Sequence, residues 1–100
     1  MQDEIIKPRG IVPFPYTKGY EVGRGDRCDL VTVIQMMLCE LKVYYDCFGD
    51  VSACGVYDGA TEEAVRAYQR ASGSDETGRV DLLTWNRLAE EYNVAVCENQ

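Results

Sequence analysis

The sequence predicts an all-α domain: a compact three-helix bundle with long ordered loops and an extended N-terminal arm. Three observations carry that prediction. Apolar residues recur at helical spacing in three separate stretches. The three prolines, Pro8, Pro13 and Pro15, all fall before residue 16, so nothing breaks the helices that follow. A turn-and-helix unit also occurs twice in the same residue order, which is the mark of an internal quasi-repeat.

Residues 1–21 form the arm. Its prolines disfavour helix, while Ile11, Val12, Phe14, Tyr16 and Tyr20 offer apolar anchors for packing on the domain. Residues 22–92 form the domain itself, and residues 93–100 are read as a C-terminal tail whose Val94-Ala95-Val96 either docks or frays. Gly23-Arg24-Gly25-Asp26 is a turn, with Asp26 or Asp29 as the cap of the first helix. That helix runs to about Leu41, with Val31, Ile34, Leu38 and Leu41 on one stripe and Leu30 and Met37 beside it. Gln35 lies next to the stripe, and its expected role is to tie a neighbouring loop backbone.

From Val43 to Cys54 the chain reads as loop, with Tyr44, Tyr45 and Phe48 interleaved with Asp46, Gly49 and Asp50. Neighbouring rings in a loop do not both point inward simply, so one of Tyr44 and Tyr45 is expected to be exposed. The second helix spans about Thr61 to Ser72. Asp58 or Thr61 accepts its first free N–H groups, Glu62 and Glu63 face the positive end of its dipole, and Ala64, Val65, Tyr68 and Ala71 form its inner face. Gly55-x-Tyr57-Asp58-x-x-Thr61 then returns as Gly78-x-Val80-Asp81-x-x-Thr84, each followed after three residues by an apolar one, Val65 and Leu88. The third helix starts at Asp81 or Thr84 and ends near Tyr92, with Leu88 and Trp85 or Tyr92 buried.

The residue order now supports a comparison with a known family. Val31, Ile34, Gln35, Leu38 and Leu41 match a Val-x-x-Leu-Gln-x-x-Leu-x-x-Leu helix. Gly55, Tyr57, Thr61, Ala64, Val65, Tyr68 and Gln69 match a second motif, and Gly78, Val80, Thr84, Trp85 and Leu88 match a closing Gly-x-Val-Gly-x-x-Thr-Trp-x-x-Leu. Over roughly residues 22–92 the chain resembles the peptidoglycan-binding-like domain, a three-helix module attached to bacterial lytic enzymes. It departs from that pattern where Asp58 and Asp81 replace the second glycine of each turn and Cys54 replaces an Asp.

The resemblance implies noncatalytic recognition of peptidoglycan or muropeptides, as glycan or stem peptide, holding a linked hydrolase domain near its substrate. It implies a binding surface drawn from Tyr44, Tyr45 and Tyr57 for stacking, Asp58 and Thr61 for hydrogen bonds, and Arg79 for a stem-peptide carboxylate. The competing reading is a protein-interaction or pro-domain-like structural module without a wall ligand.

Composition narrows the function classes. A formal charge of −7 argues against nucleic acid, and the later helices open with Glu62-Glu63 and Asp81, the wrong sign for phosphate. No apolar run approaches a membrane span, and the first residues lack the basic start and apolar stretch of a signal peptide. Two locations fit: the cell wall, if the domain is part of a larger exported chain, or the interior of a cell or spore. The chain has no histidine, so the usual general base and zinc ligand are missing, and neither a catalytic site nor a cofactor or metal is expected. Five cysteines cannot all pair within the chain. Cys28 and Cys39 are expected as small buried hydrophobes and the others as free thiols, with a Cys47–Cys54 disulfide left open.

Overall fold

The structure, a computed structural model, describes Phe14, residues 19–45, Gly49 and residues 51–98. Ile11, Val12, Tyr16, the prolines, Cys47 and Phe48 lie outside the described residues. Three helices are built by the stretches that the periodicity marks: α1 (Asp29–Leu41), α2 (Gly59–Ser72) and α3 (Leu82–Glu98), with a 3-10 turn at Lys42–Tyr44. Among the described residues no helix is long and apolar enough to cross a membrane.

α1 is the spine. Its buried face takes in Leu30, Val31, Val33, Ile34, Gln35, Met37, Leu38 and Leu41, and it packs chiefly along α3 and more briefly on α2. The expected carboxylate cap is absent: Cys28 precedes the first turn and makes no side-chain cap bond. Asp26 instead accepts from the Gly23 N–H at 2.9 Å, closing the turn before the helix. Asp29 lies inside the first turn, where its charge still opposes the dipole.

α2 starts two residues earlier than its sequence suggests, because Asp58 is the N-cap and accepts from the Thr61 N–H at 2.9 Å. It ends on Gly73 at φ 79°, where Gly73 N–H reaches Arg70 O and Ser74 N–H reaches Gln69 O, closing the last carbonyls. Ala64, Val65 and Tyr68 face inward, joined by Ala67. Ala71 is exposed, since the chain leaves the core in that last turn.

α3 runs past its expected end near Tyr92 to Glu98. The apolar stripe explains the extension: Leu88 and Ala95 are buried and Tyr92 packs against the core, at spacings of four and three, with no Gly or Pro to stop the helix. Trp85 is fully buried against Phe14, whose ring centroid lies 5.1 Å away. Phe14 also meets Tyr20 edge-on at 5.2 Å, so this part of the arm is a piece of core.

Two isolated antiparallel bridges lash the turns together. Val22 and Val80 exchange both backbone bonds at 2.9 and 2.8 Å, and Arg27 pairs with Val56. The cysteine expectation fails at Cys28 and Cys39, both of which are exposed. Cys28 sits outside the helix it precedes, and Cys39 is rotated about 100° from buried Leu38. The Cys39 thiol donates to Val51 O at 3.0 Å. Cys54 is an exposed free thiol.

Candidate functional site

The residues singled out by sequence separate into two groups at opposite ends of α1, a helix about 20 Å long. At its N-terminal end the repeated turns stand side by side, and each is held by a glutamine from the preceding helix. Gln35 Oε1 accepts from Gly55 N–H at 2.9 Å, while its Nε2 donates to Val56 O at 2.8 Å and Thr61 Oγ1 at 2.9 Å. Gln69 repeats the arrangement, with Oε1 accepting from Gly78 N–H at 3.0 Å and Nε2 donating to Arg79 O at 2.9 Å and, at 3.4 Å, to Thr84 Oγ1. Both glutamines are buried, as the expectation for Gln35 requires.

This geometry corrects two of the expected ligand contacts. Tyr57 is 1% exposed and its hydroxyl donates to Gly78 O at 2.6 Å, so its ring presents no face for stacking. Burial pushes its phenol well above the ordinary tyrosine range, with the nearby Glu62 and Asp26 adding to the shift. Thr61 is fully buried; its hydroxyl accepts from Gln35 and donates to Asp58 Oδ1 at 2.8 Å. Asp58 is half-buried, and its two bonds from Thr61 hold its carboxyl below the usual range. Thr61 and the Oδ1 of Asp58 are therefore committed to the cap. Arg79 remains at the surface, its stem lying over Gly23 and its Nη1 3.2 Å from Glu21. Exposed pairs of this kind are worth about 0–1 kcal/mol, so a ligand carboxylate can compete with Glu21.

The other end of α1 holds a cleft. After Leu41 the chain tightens into the 3-10 turn and then extends at Tyr45 (φ −130°, ψ 102°), which sends the adjacent tyrosines apart. Tyr45 turns inward, its ring edge-on to Tyr68 at 5.5 Å and its hydroxyl donating to Glu91 Oε1 at 2.5 Å. Tyr68 donates to the other oxygen of the same carboxylate at 2.6 Å. Burial first, and then this bond to Glu91, raise the Tyr68 phenol far above its ordinary value. Tyr44 points out and is 53% exposed.

Leu41, Tyr44, Tyr45, Glu90, Glu91, Val94 and Ala95 enclose a cleft of about 540 Å³. That volume lies in the range of roughly 300–1,000 Å³ typical of small-ligand sites. Its lining is apolar and aromatic apart from the exposed Glu90 and from Glu91, which is tied to Tyr45 and Tyr68. The sequence reading missed the α3 side of this cleft. An end near Tyr92 leaves Val94 and Ala95 off the helix, although the Leu88–Tyr92–Ala95 spacing carries it further. Among the described residues no three Cys, Asp or Glu side chains converge as metal ligands would.

Residues 29–88 match the family model described as "Putative peptidoglycan binding domain". Among solved structures, the chain is similar to a peptidoglycan-binding protein from Clostridioides difficile crystallised with glutamine hydroxamate. The TM-score is 0.65 at 21% identity, over 75% of this chain and 44% of that one. It is also similar to the SleB N-terminal domain, at TM-score 0.62 and 23% identity, over 75% of this chain and 96% of that one. The chain thus spans less than half the length of the first of these proteins, and at these identities both likenesses show the fold. No curated protein matches the chain.

Proposed function

The chain belongs to the peptidoglycan-binding domain family, and on that premise we propose that it binds bacterial cell-wall peptidoglycan without cleaving it, in the cleft beside Tyr44. The observation that supports the cleft is the exposed Tyr44 ring set against Val94, with Glu90 at the rim. A pyranose ring offers apolar C–H faces to an aromatic ring and hydroxyls to carboxylates, so aromatic wall and acidic rim suit the glycan strand. Net charge of −7 leaves no long-range attraction to an acidic wall, so recognition is short-range.

The domain then acts by effective concentration: joined to a hydrolase in a longer chain, it holds that enzyme at the wall without doing chemistry itself. Arg79 is the second contact in this reading, taking a stem-peptide carboxylate in place of Glu21. Tyr45 serves as the cleft floor, fixed by Glu91.

The test is a two-dimensional NMR titration of labelled protein with soluble cell-wall fragments, under reducing conditions. Saturable shifts should centre on Leu41–Tyr45 and Glu90–Ala95. Tyr44→Ala should weaken binding about five-fold, the equivalent of about 1 kcal/mol of stacking, with the thermal midpoint unchanged. A well-dispersed spectrum that does not move at millimolar fragment would overturn the proposal.

A further inference from the structure

A second, smaller cavity of about 310 Å³ lies where the end of α2 meets the start of α3, and it shares no lining residue with the Tyr44 cleft. Its charges are arranged unusually. Arg66, Arg70 and Arg79 each sit within 4.0 Å of a carboxylate, but Arg87 enters no such pair among the described residues. Glu91, one turn further along α3, is occupied by Tyr45 and Tyr68. The Arg87 guanidinium is nevertheless held in place, because its Nη1 donates to Ser72 O at 3.0 Å across the end of α2.

Asp75 and Asp81 line the same cavity. Asp81 gives Oδ1 to the Thr84 N–H at 2.9 Å as the cap of α3, and no side chain among the described residues takes up the Asp75 carboxylate. Opposite charges therefore line one small volume, with no described carboxylate within 4.0 Å of Arg87. At the lip stands Leu83, 56% exposed and apolar.

We infer that this cavity binds an amino-acid headgroup, a single carbon carrying both a free ammonium and a free carboxylate. Arg87 has four further N–H donors for the carboxylate, and a planar guanidinium suits it. Asp75 and the outer oxygen of Asp81 take the ammonium. Leu83 covers the aliphatic part of the side chain. The ligand supplies the pairing that each of these charges lacks, so the two ends bind together better than either would alone.

The experiment is an NMR titration of the whole chain with leucine, leucinamide, N-acetylleucine and Nε-acetyllysine. Leucine should move Ser74, Asp75, Leu83 and Arg87 saturably in the millimolar range. Blocking either charge should weaken binding about tenfold, the cost of losing one charge-assisted contact. Tighter binding of Nε-acetyllysine than leucine assigns the site to a headgroup displayed on a chain, and the reverse to a free amino acid. Asp75→Asn changes an exposed side chain and should remove the preference for leucine over N-acetylleucine while keeping that over leucinamide. Arg87→Gln should do the opposite. No saturable shifts at tens of millimolar, or equal shifts from all four compounds, would overturn the inference. Neither result touches the Tyr44 cleft, whose titration reads different residues.

Discussion

The sharpest test of the architecture is to remove the two glutamine side chains that hold the turns. Gln35→Met and Gln69→Met keep length and apolar volume but delete every amide bond. In the first, Gly55 N–H, Val56 O and Thr61 Oγ1 each lose a partner. A buried polar group left unpaired costs about 1–3 kcal/mol. Gly55 and Val56 are only half-buried, so water repairs part of that loss and about 3 kcal/mol is expected. In the second, Gly78 is buried and water has less access, so the loss should be at least as large. Of a total near 5–15 kcal/mol this is a large share. At roughly 4–8 °C per kcal/mol, each variant should melt at least 12 °C below the wild type.

Circular dichroism melts and urea titrations give both numbers, with m-values checking that unfolding stays two-state. Gln35→Glu adds a sign. Its carboxylate would face Val56 O, and burial would raise its folded pKa above the unfolded value of about 4.3. The group with the raised pKa favours the folded state at low pH, so the gap to wild type should narrow below about pH 4 and widen as pH rises. Midpoints within about 3 °C of wild type for both methionine variants would refute the reasoning, since the turns would then be held by their bridges alone.

Asp58→Ala should cost about 1 kcal/mol through the lost cap, and Asp58→Asn much less. Because Thr61 holds the Asp58 carboxyl below its ordinary value, that charge stabilises the fold above about pH 3.9 and the contribution is lost as pH falls through the lower, folded value. Acid melts should therefore show wild type and Asp58→Asn converging. Tyr57→Phe should cost about 1–2 kcal/mol by leaving Gly78 O without its donor, and should leave wall-fragment shifts at the Tyr44 cleft intact. Tyr57 and Tyr68 have raised folded pKa values, so wild-type stability should decline as pH rises past the unfolded value of about 10. Tyr57→Phe should lessen that alkaline decline in a melt series.

Which features were legible in the sequence follows from how far each interaction reaches along the chain. Gly-x-apolar-Asp-x-x-Thr is decided within seven residues, since turn, buried anchor and cap are neighbours, and both copies fold as their order predicts. The same order should have placed Tyr57 inside. It occupies the position of Val80 in the other copy, and both side chains are buried. The Gln partners were less visible, because Gln35 lies 20 residues before its glycine and Gln69 only nine. No single spacing announces them. The Glu91 bridge between Tyr45 and Tyr68, and the placing of Asp75 and Arg87 around one cavity, arise from tertiary packing and leave no local pattern.

That division also bears on where a ligand can bind. The repeat consumes its own polar groups: Gln35, Gln69, Asp58, Asp81, Thr61 and Thr84 each bond to a turn or a cap. Among the described residues no buried side-chain nitrogen or oxygen is left without a partner. A frame that satisfies itself offers a ligand little beyond the outer oxygen of a cap such as Asp81. Binding falls instead to side chains that the repeat does not specify, such as Tyr44 and Glu90 at one cleft and Asp75 and Arg87 at the other. Variation there alters recognition while the turns and helices stay as they are.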